Sequence, residues 1–315
     1  MLDLVLARVT APERLRRVLV PLVRGYIRYF PVNAGKAVLW SRVAEPYLAW
    51  QPHAFRARTR FGFSLEGDSN DLIQQWIYYF GVWEPSLTAW IRRRLATGDT
   101  FVDVGANIGY FALLAARTVG PSGRVVAIEA SPAILERLGR NVGANRAENL
   151  RTVGAAALGS RSVVRLYRGN AANCGETTID AQYGGEFECE VDAFPLHELL
   201  TPAELAAARL IKIDTEGAEY AILAGLDSLD RLRPDAELVV EVHPSYLAHR
   251  GESVEALLAL LDAAGFAPYV LREEYWAPAH LRDRASLPAP ARYRGAALED
   301  GTVLIFSRIH GEVLD

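Results

Sequence analysis

The chain has 315 residues, half of them apolar, with 34 Lys and Arg against 38 Asp and Glu. That composition supports a sizeable core and excludes a disordered chain, and a net charge of −4 gives no general attraction to nucleic acid, so tRNA, rRNA and DNA are disfavoured as substrates. Two cysteines, Cys174 and Cys189, provide no disulfide framework and read as ordinary buried thiols of an intracellular, cytoplasmic protein.

No secretory pattern opens the chain: residues 1–6 are apolar without a basic lead, and Arg8 cuts the run short. Arg14, Arg16, Arg17, Arg24 and Arg28 break up the following stretch, so no apolar run reaches membrane-spanning length. Basic residues interleaved with Leu, Val, Tyr and Phe suit either a surface helix on anionic lipid or a helix packed on the domain. The packed arrangement is the commoner and the favoured one. Pro12, Pro21, Pro31, Pro46 and Pro52 divide residues 1–60 into several short helices. Residues 61–66 read as a hairpin arm. Asn70-Asp71 opens a helix carrying Leu72, Ile73, Trp76, Ile77 and Phe80 that Gly81 stops, and residues 86–95 form another.

From Thr100 strands and helices alternate regularly. Strands are expected at 100–104, 124–129, 151–155, 210–214 and 237–243, with helices at 132–145 and 253–264. Additional strands at 163–167 and 188–192 flank a Gly/Asn-rich segment, strands at 266–271 and 302–306 close the sheet, and the Pro- and Arg-rich residues 288–294 read as a surface loop. Alternation of this kind implies a parallel sheet covered by helices on both faces.

The first strand ends in Asp103-x-Gly105-x-x-x-Gly109. An acid at a buried strand end either caps the turn or meets a cationic ligand. A dinucleotide turn needs G-x-G-x-x-G, and the middle glycine is absent, so an ammonium group suits this turn better than a diphosphate. Three blocks, Val102-Asp103-Val104-Gly105-Ala106-Asn107-Ile108-Gly109-Tyr110, Ile211-Lys212-Ile213-Asp214-Thr215-Glu216-Gly217-Ala218-Glu219 and Val240-Glu241-Val242-His243, stand in this order. Across roughly its C-terminal two thirds the chain resembles the FkbM-type family of class I S-adenosylmethionine-dependent methyltransferases.

The resemblance implies an α/β fold, a Rossmann-like doubly wound, mostly parallel seven-stranded sheet with an antiparallel last strand. Residues 1–95 would form a helical N-terminal extension and residues 96–315 the methyltransferase domain. S-adenosyl-L-methionine is then the expected cofactor. Asp103, with backbone groups of Gly105, Ala106, Asn107 and Gly109, would hold its methionyl ammonium and carboxylate. Glu129, beside Ala130, sits where an acid meets ribose hydroxyls in cofactor-binding βαβ folds, and Ala155, Ala156 and Ala157 would wall the adenine. Trp83 and Glu84, in the family-like segment Gly81-Val82-Trp83-Glu84-Pro85, would cover the methionine end with Tyr78 and Tyr79. Each has a structural alternative: Asp103 as a turn cap, Glu129 as a capping acid beside Ser131, the two glycines as close packing, the aromatics as core. Asn141 and Asn145 read as helix C-caps, not ligands.

In an open α/β sheet the ligand lies outside the carboxyl ends of the strands, which places Asp214 and Glu216 at the site, Asp214 toward cofactor and acceptor alike. Lys212, in an apolar strand, needs a partner, and a structural ion pair would satisfy it. Glu241 and His243 end the adjoining strand. For a hydroxyl acceptor the candidate bases are His243 first, then Asp214 or Glu241, since imidazole exchanges protons near neutral pH. His243 could instead be a satisfied core histidine. Asp214, Glu241 and His243 suit a divalent metal poorly, and no metal is expected. Residues 168–188 are expected to form a lid or acceptor loop.

The resemblance implies O-methylation of a small molecule, a sugar or a secondary metabolite of bacterial metabolism. A homo-oligomer is compatible with this reading. A nicotinamide-dependent oxidoreductase would share the turn and Glu129 without the middle glycine, and a non-catalytic cofactor-binding or membrane-peripheral protein would keep the fold with an inert rim.

Overall fold

The computed structural model describes residues 12–49, 53–169, 177–182, 185–226, 229–282 and 287–314. Residues 1–6 with Arg8, Cys174 and most of the Gly/Asn-rich segment therefore lie outside the described residues.

Eight strands form the main sheet, in the spatial order Ala291–Arg292, Ala267–Leu271, Thr302–Ser307, Glu237–Val242, Ala208–Ile213, Thr100–Val104, Arg124–Glu129 and Leu150–Gly154. The last five are mutually parallel, and Thr302–Ser307 runs antiparallel between Glu237–Val242 and Ala267–Leu271. This is the doubly wound arrangement with an antiparallel late strand. The eighth strand, Ala291–Arg292, lies in the stretch expected as a loop, where two residues pair with Val270 and Tyr269 at the sheet edge. A two-residue rung has no alternation to read.

Both faces of the sheet are covered, so its strands are apolar throughout. Val102, Val104, Ile211, Ile213, Val240 and Val242 pack on one face against Ile222, Leu223 and Leu257. Phe101, Leu210, Val239 and Ile305 pack on the other against the helix Tyr110–Val119. Strand alternation puts Asp103, Lys212 and Glu241 on that second face, at the carboxyl ends of three adjacent strands. The strands expected at 163–167 and 188–192 belong to a separate four-stranded sheet.

The segment before the sheet departs from expectation in two ways. The helix Glu13–Tyr29 runs straight through Pro21, because Val20, Val23 and Ile27 bury one face against Trp76, Tyr79 and Phe80, and that packing outweighs one missing hydrogen bond. The second departure is the strand Ala54–Arg58, which lies where short helices were expected and pairs with Ser64–Asp68, the hairpin arm read at 61–66. Asp71 caps the helix Leu72–Phe80 by accepting the Gln74 N–H at 2.9 Å, and Gly81, at φ +69°, ends it. Among the described residues no helix is long and apolar enough to cross a membrane.

Candidate functional site

The glycine turn is shaped by contacts that leave no room for a side chain. Gly105 sits at φ +79°, and a Cβ there would lie 1.8 Å from the carbonyl oxygen of Asp214. The Gly105 and Ala106 N–H groups donate to Ile128 O at 3.0 and 2.9 Å, and Asp214 N–H donates to Val104 O at 3.0 Å. The turns after three neighbouring strands are thus tied together. Gly109, at φ +93°, starts the helix Tyr110–Val119 and lies against Leu138, so its role is close packing.

Asp103 is 1% exposed, and neither carboxylate oxygen has a hydrogen-bond partner among the described residues. Burial pushes its pKa up to about 6, although the Lys212 charge opposes the shift. Glu129 is also buried but is held: Oε2 accepts the Asn107 N–H at 2.8 Å and Oε1 the Ser131 N–H at 2.9 Å, while burial raises its pKa to about 7. A cavity opens beside it, lined by Gly105, Asn107, Glu129, Ala130, Ala156 and Asp214, with Ala155, Ala157, Leu166 and Ile179 as apolar wall.

Lys212 is the cation around which the rim is built. Its Nζ lies 2.7 Å from Asp214 Oδ2 and 5.2 Å from the centre of the Phe111 ring, and it faces Asp103 and Glu84 electrostatically. Burial alone would lower its pKa, but these three acids more than offset it, and Lys212 stays charged. Burial likewise pushes Asp214 up, and Lys212 more than offsets that too, holding the carboxyl below its usual range. Glu241 is pushed well above the carboxylate range by burial, then by Asp214, Glu84 and Glu216, and the Lys212 charge only partly opposes this.

Beyond Lys212, the buried Glu84 accepts a hydrogen bond from Tyr275 Oη at 2.9 Å, and burial with the nearby Glu273 lifts its pKa to about 8. Glu273 accepts the N–H groups of Ser86 and Leu87 at 3.3 and 2.9 Å, fixing the start of the helix Pro85–Arg94, and Trp83 packs on Tyr275 with ring centres 5.4 Å apart. His243 is 9% exposed and stacks on Tyr246. Its Nε2 lies 3.4 Å from Glu216 Oε2 and 3.8 Å from Glu241 Oε1 without making a hydrogen bond. Glu216 holds φ +54°, a strained backbone for a side chain with a Cβ. Its turn is fixed by Glu219, whose Oε1 accepts Thr215 N–H, Thr215 Oγ1–H and Gly217 N–H at 3.0, 3.0 and 3.1 Å.

The model of the FkbM methyltransferase domain matches residues 103–268. The chain belongs to this family. Methyltransferase sdnD of Sordaria araneosa is 29% identical over 214 residues, which is 58% of this chain and 79% of that protein. An arsenite methyltransferase of Halobacterium salinarum is 38% identical over 56 residues, 18% of this chain and 14% of the other. Among solved structures, an FkbM methyltransferase from Methylobacillus flagellatus KT is 18% identical with a TM-score of 0.40. The match covers 68% of this chain, and the chain spans 44% of that one.

An FkbM-family chain is an S-adenosylmethionine-dependent methyltransferase, which sets aside the oxidoreductase and non-catalytic readings. The residues fit the cofactor: Glu129 keeps lone pairs for hydroxyls and the alanines leave an apolar wall, while Asp103, buried behind the cavity lining with no hydrogen-bond partner among the described residues, would offer an ammonium partner. When bound, S-adenosyl-L-methionine supplies an electrophilic methyl group on a sulfonium. The expected site residues divide into three sets. Gly105, Asn107, Glu129, Ala130, Ala156 and Asp214 line the cavity. Ala106 and Gly109 are buried turn or helix-start positions behind it, and Asp103, which does not line the cavity, clusters with Trp83, Glu84, Glu241 and His243 on the Lys212 side.

Two expectations need correction. Tyr78 and Tyr79 turn away from the site: Tyr78 packs on Phe55 and Arg24, Tyr79 on Trp40, because the helix ends at Gly81 before the chain returns. Asn141 and Asn145 are not caps, since Arg146 at φ +51° ends that helix. Asn145 instead exchanges both hydrogen bonds with the Ser64 backbone, and Asn141 bridges Glu66 N–H and Ile108 O, stitching the hairpin to the glycine turn. Of the expected lid, residues 170–176 and 183–184 lie outside the described residues. Thr177 and Ile179 line the cavity, and Thr178 Oγ1 donates to Glu216 O at 3.1 Å. Cys189 is only half-buried. Sequence reasoning missed Glu273 and Tyr275 and passed over Glu219. For Glu219 the acid two residues after Gly217, at the start of a helix, was a usable sign.

Proposed function

We propose that this methyltransferase methylates a hydroxyl oxygen of a small molecule, a sugar or secondary metabolite. The observation that carries the reading is the buried His243 Nε2, without a hydrogen bond among the described residues and within 4 Å of the Glu216 and Glu241 side chains at the carboxyl end of its strand. A hydroxyl must lose its proton as the new C–O bond forms, and an imidazole here can accept it while the Glu216 carboxylate stabilises the charge acquired. Asp214 is the weaker base, because Lys212 occupies it and holds its proton affinity down. Its part is to orient, together with the fixed turn behind it. Transfer is an in-line displacement, so a rim that holds the acceptor at contact distance supplies much of the rate.

The test is a screen of hydroxyl compounds with labelled methyl donor, followed by assignment of the methylated atom. In the active pair, His243→Ala should lower kcat by roughly 10²- to 10⁴-fold with little change in affinity for S-adenosylhomocysteine. Product methylated at nitrogen or carbon, or full activity in His243→Ala, would overturn the proposal.

A further inference from the structure

The charge of this chain is divided unevenly along its length. Residues 1–60 contain eleven Lys and Arg against three Asp and Glu, whereas residues 61–315 contain 23 against 35. The helix Glu13–Tyr29 lies in the basic part and has two apolar faces. One, with Val20, Val23 and Ile27, is buried in the cluster around Trp76 and Phe80. On the other, Leu15, Val18, Leu22 and Tyr29 are 49, 58, 64 and 66% exposed. Their spacings of three, four and seven residues put them in one stripe, and Phe30 and Val32, about half exposed, continue it past the helix end. Arg14 and Arg17 flank the stripe and are exposed, as is Arg42 of the following helical segment.

A stripe of large apolar side chains on a soluble surface marks an interaction site. A nucleic acid would meet the arginines but gain nothing from Leu15, Val18 and Leu22. A second copy joined through the same stripe would bring like-charged flanks together. An anionic bilayer satisfies both features: the stripe enters the headgroup boundary, the guanidinium groups pair with phosphates, and the aromatic rings of Tyr29 and Phe30 sit at the interface.

We infer that the helix Glu13–Tyr29 docks on the surface of an anionic membrane, holding the methyltransferase there without crossing it. The excess of acids in residues 61–315 would be repelled by the same surface, so the charge division also sets which side faces the lipid. This inference is independent of the acceptor chemistry, because binding and not turnover reports on it.

The experiment is co-sedimentation of the full chain with vesicles of phosphatidylcholine alone and with about one third phosphatidylglycerol, at low and high salt. Wild type should partition onto the anionic vesicles at least tenfold more strongly than onto the neutral ones, and salt should release it. The surface variants Val18→Asp/Leu22→Asp and Arg14→Glu/Arg17→Glu should each weaken binding at least tenfold, with wild-type melting temperature and S-adenosylhomocysteine affinity. Wild type that stays in the supernatant with both vesicles, or Val18→Asp/Leu22→Asp that binds like wild type, would overturn the inference. So would a concentration-dependent dimer that Val18→Asp/Leu22→Asp converts to monomer, which would assign the stripe to self-association.

Discussion

Asp103 carries a cost of burial that the nearby Lys212 charge relieves only in part. Its carboxylate is buried, unpaired by hydrogen bonds, and raised to about 6, so at neutral pH it is largely ionised against the preference of its surroundings. Asp103→Asn should therefore raise the melting temperature of the cofactor-free protein at pH 8. The same variant should bind S-adenosylhomocysteine about 10- to 100-fold more weakly, as expected for loss of a charge-assisted hydrogen bond. Calorimetry across pH adds the sign: wild-type affinity should climb between pH 5 and 7.5 as Asp103 ionises, and the Asn variant should give a flatter profile. A residue that merely capped the turn would lose stability on substitution and leave the pH profile unmoved.

At the level of elements, the site is three strand ends whose turns hold one another. Gly105 lies under the Asp214 carbonyl, and Glu219 gathers the Thr215 and Gly217 donors into a fixed turn. Glu219→Ala should cost about 1–3 kcal/mol in denaturant unfolding, since buried donors lose their acceptor, and Glu219→Gln, which keeps one oxygen, should recover much of it. Strand and helix were legible from local pattern: the strand Arg124–Glu129 and the helix Pro132–Asn145 fall where residue patterns put them. Asp103, Gly105 and Glu129 could be singled out together because they fall within one βαβ unit. The contacts that Glu273 and Tyr275 make on the Lys212 side could not. Glu84 meets Tyr275 across 191 residues and Ser86 meets Glu273 across 187, and no local pattern reports a contact at that separation. For the same reason Asn145, with a side chain that mimics a strand partner for Ser64, looks in sequence like an ordinary helix end.

At the scale of the whole molecule, the buried acids make stability depend on pH in an unusual direction. Glu84, Glu129 and Glu273 are lifted by burial to about 8, 7 and 7, and Asp103 to about 6, all above their values in an unfolded chain. A carboxyl of this kind stabilises the fold while protonated, and that contribution is lost as pH rises through the raised value. Thermal melts of the cofactor-free protein should therefore fall in temperature from pH 6 to 8.5, and saturating S-adenosylhomocysteine should flatten the decline. Glu204 works in the opposite sense: its bond from Arg151 holds it at about 2, a contribution kept above the usual carboxylate range and lost only in acid.

The antiparallel strand Thr302–Ser307 comes after both of its neighbours in sequence, yet it lies between them inside the sheet, bonded on both sides. Until it emerges, Glu237–Val242 presents a bare edge and Ala267–Leu271 has no neighbour to join. Closure of the sheet therefore waits for residues 302–307, and until then the nascent chain carries an unpaired edge open to aggregation.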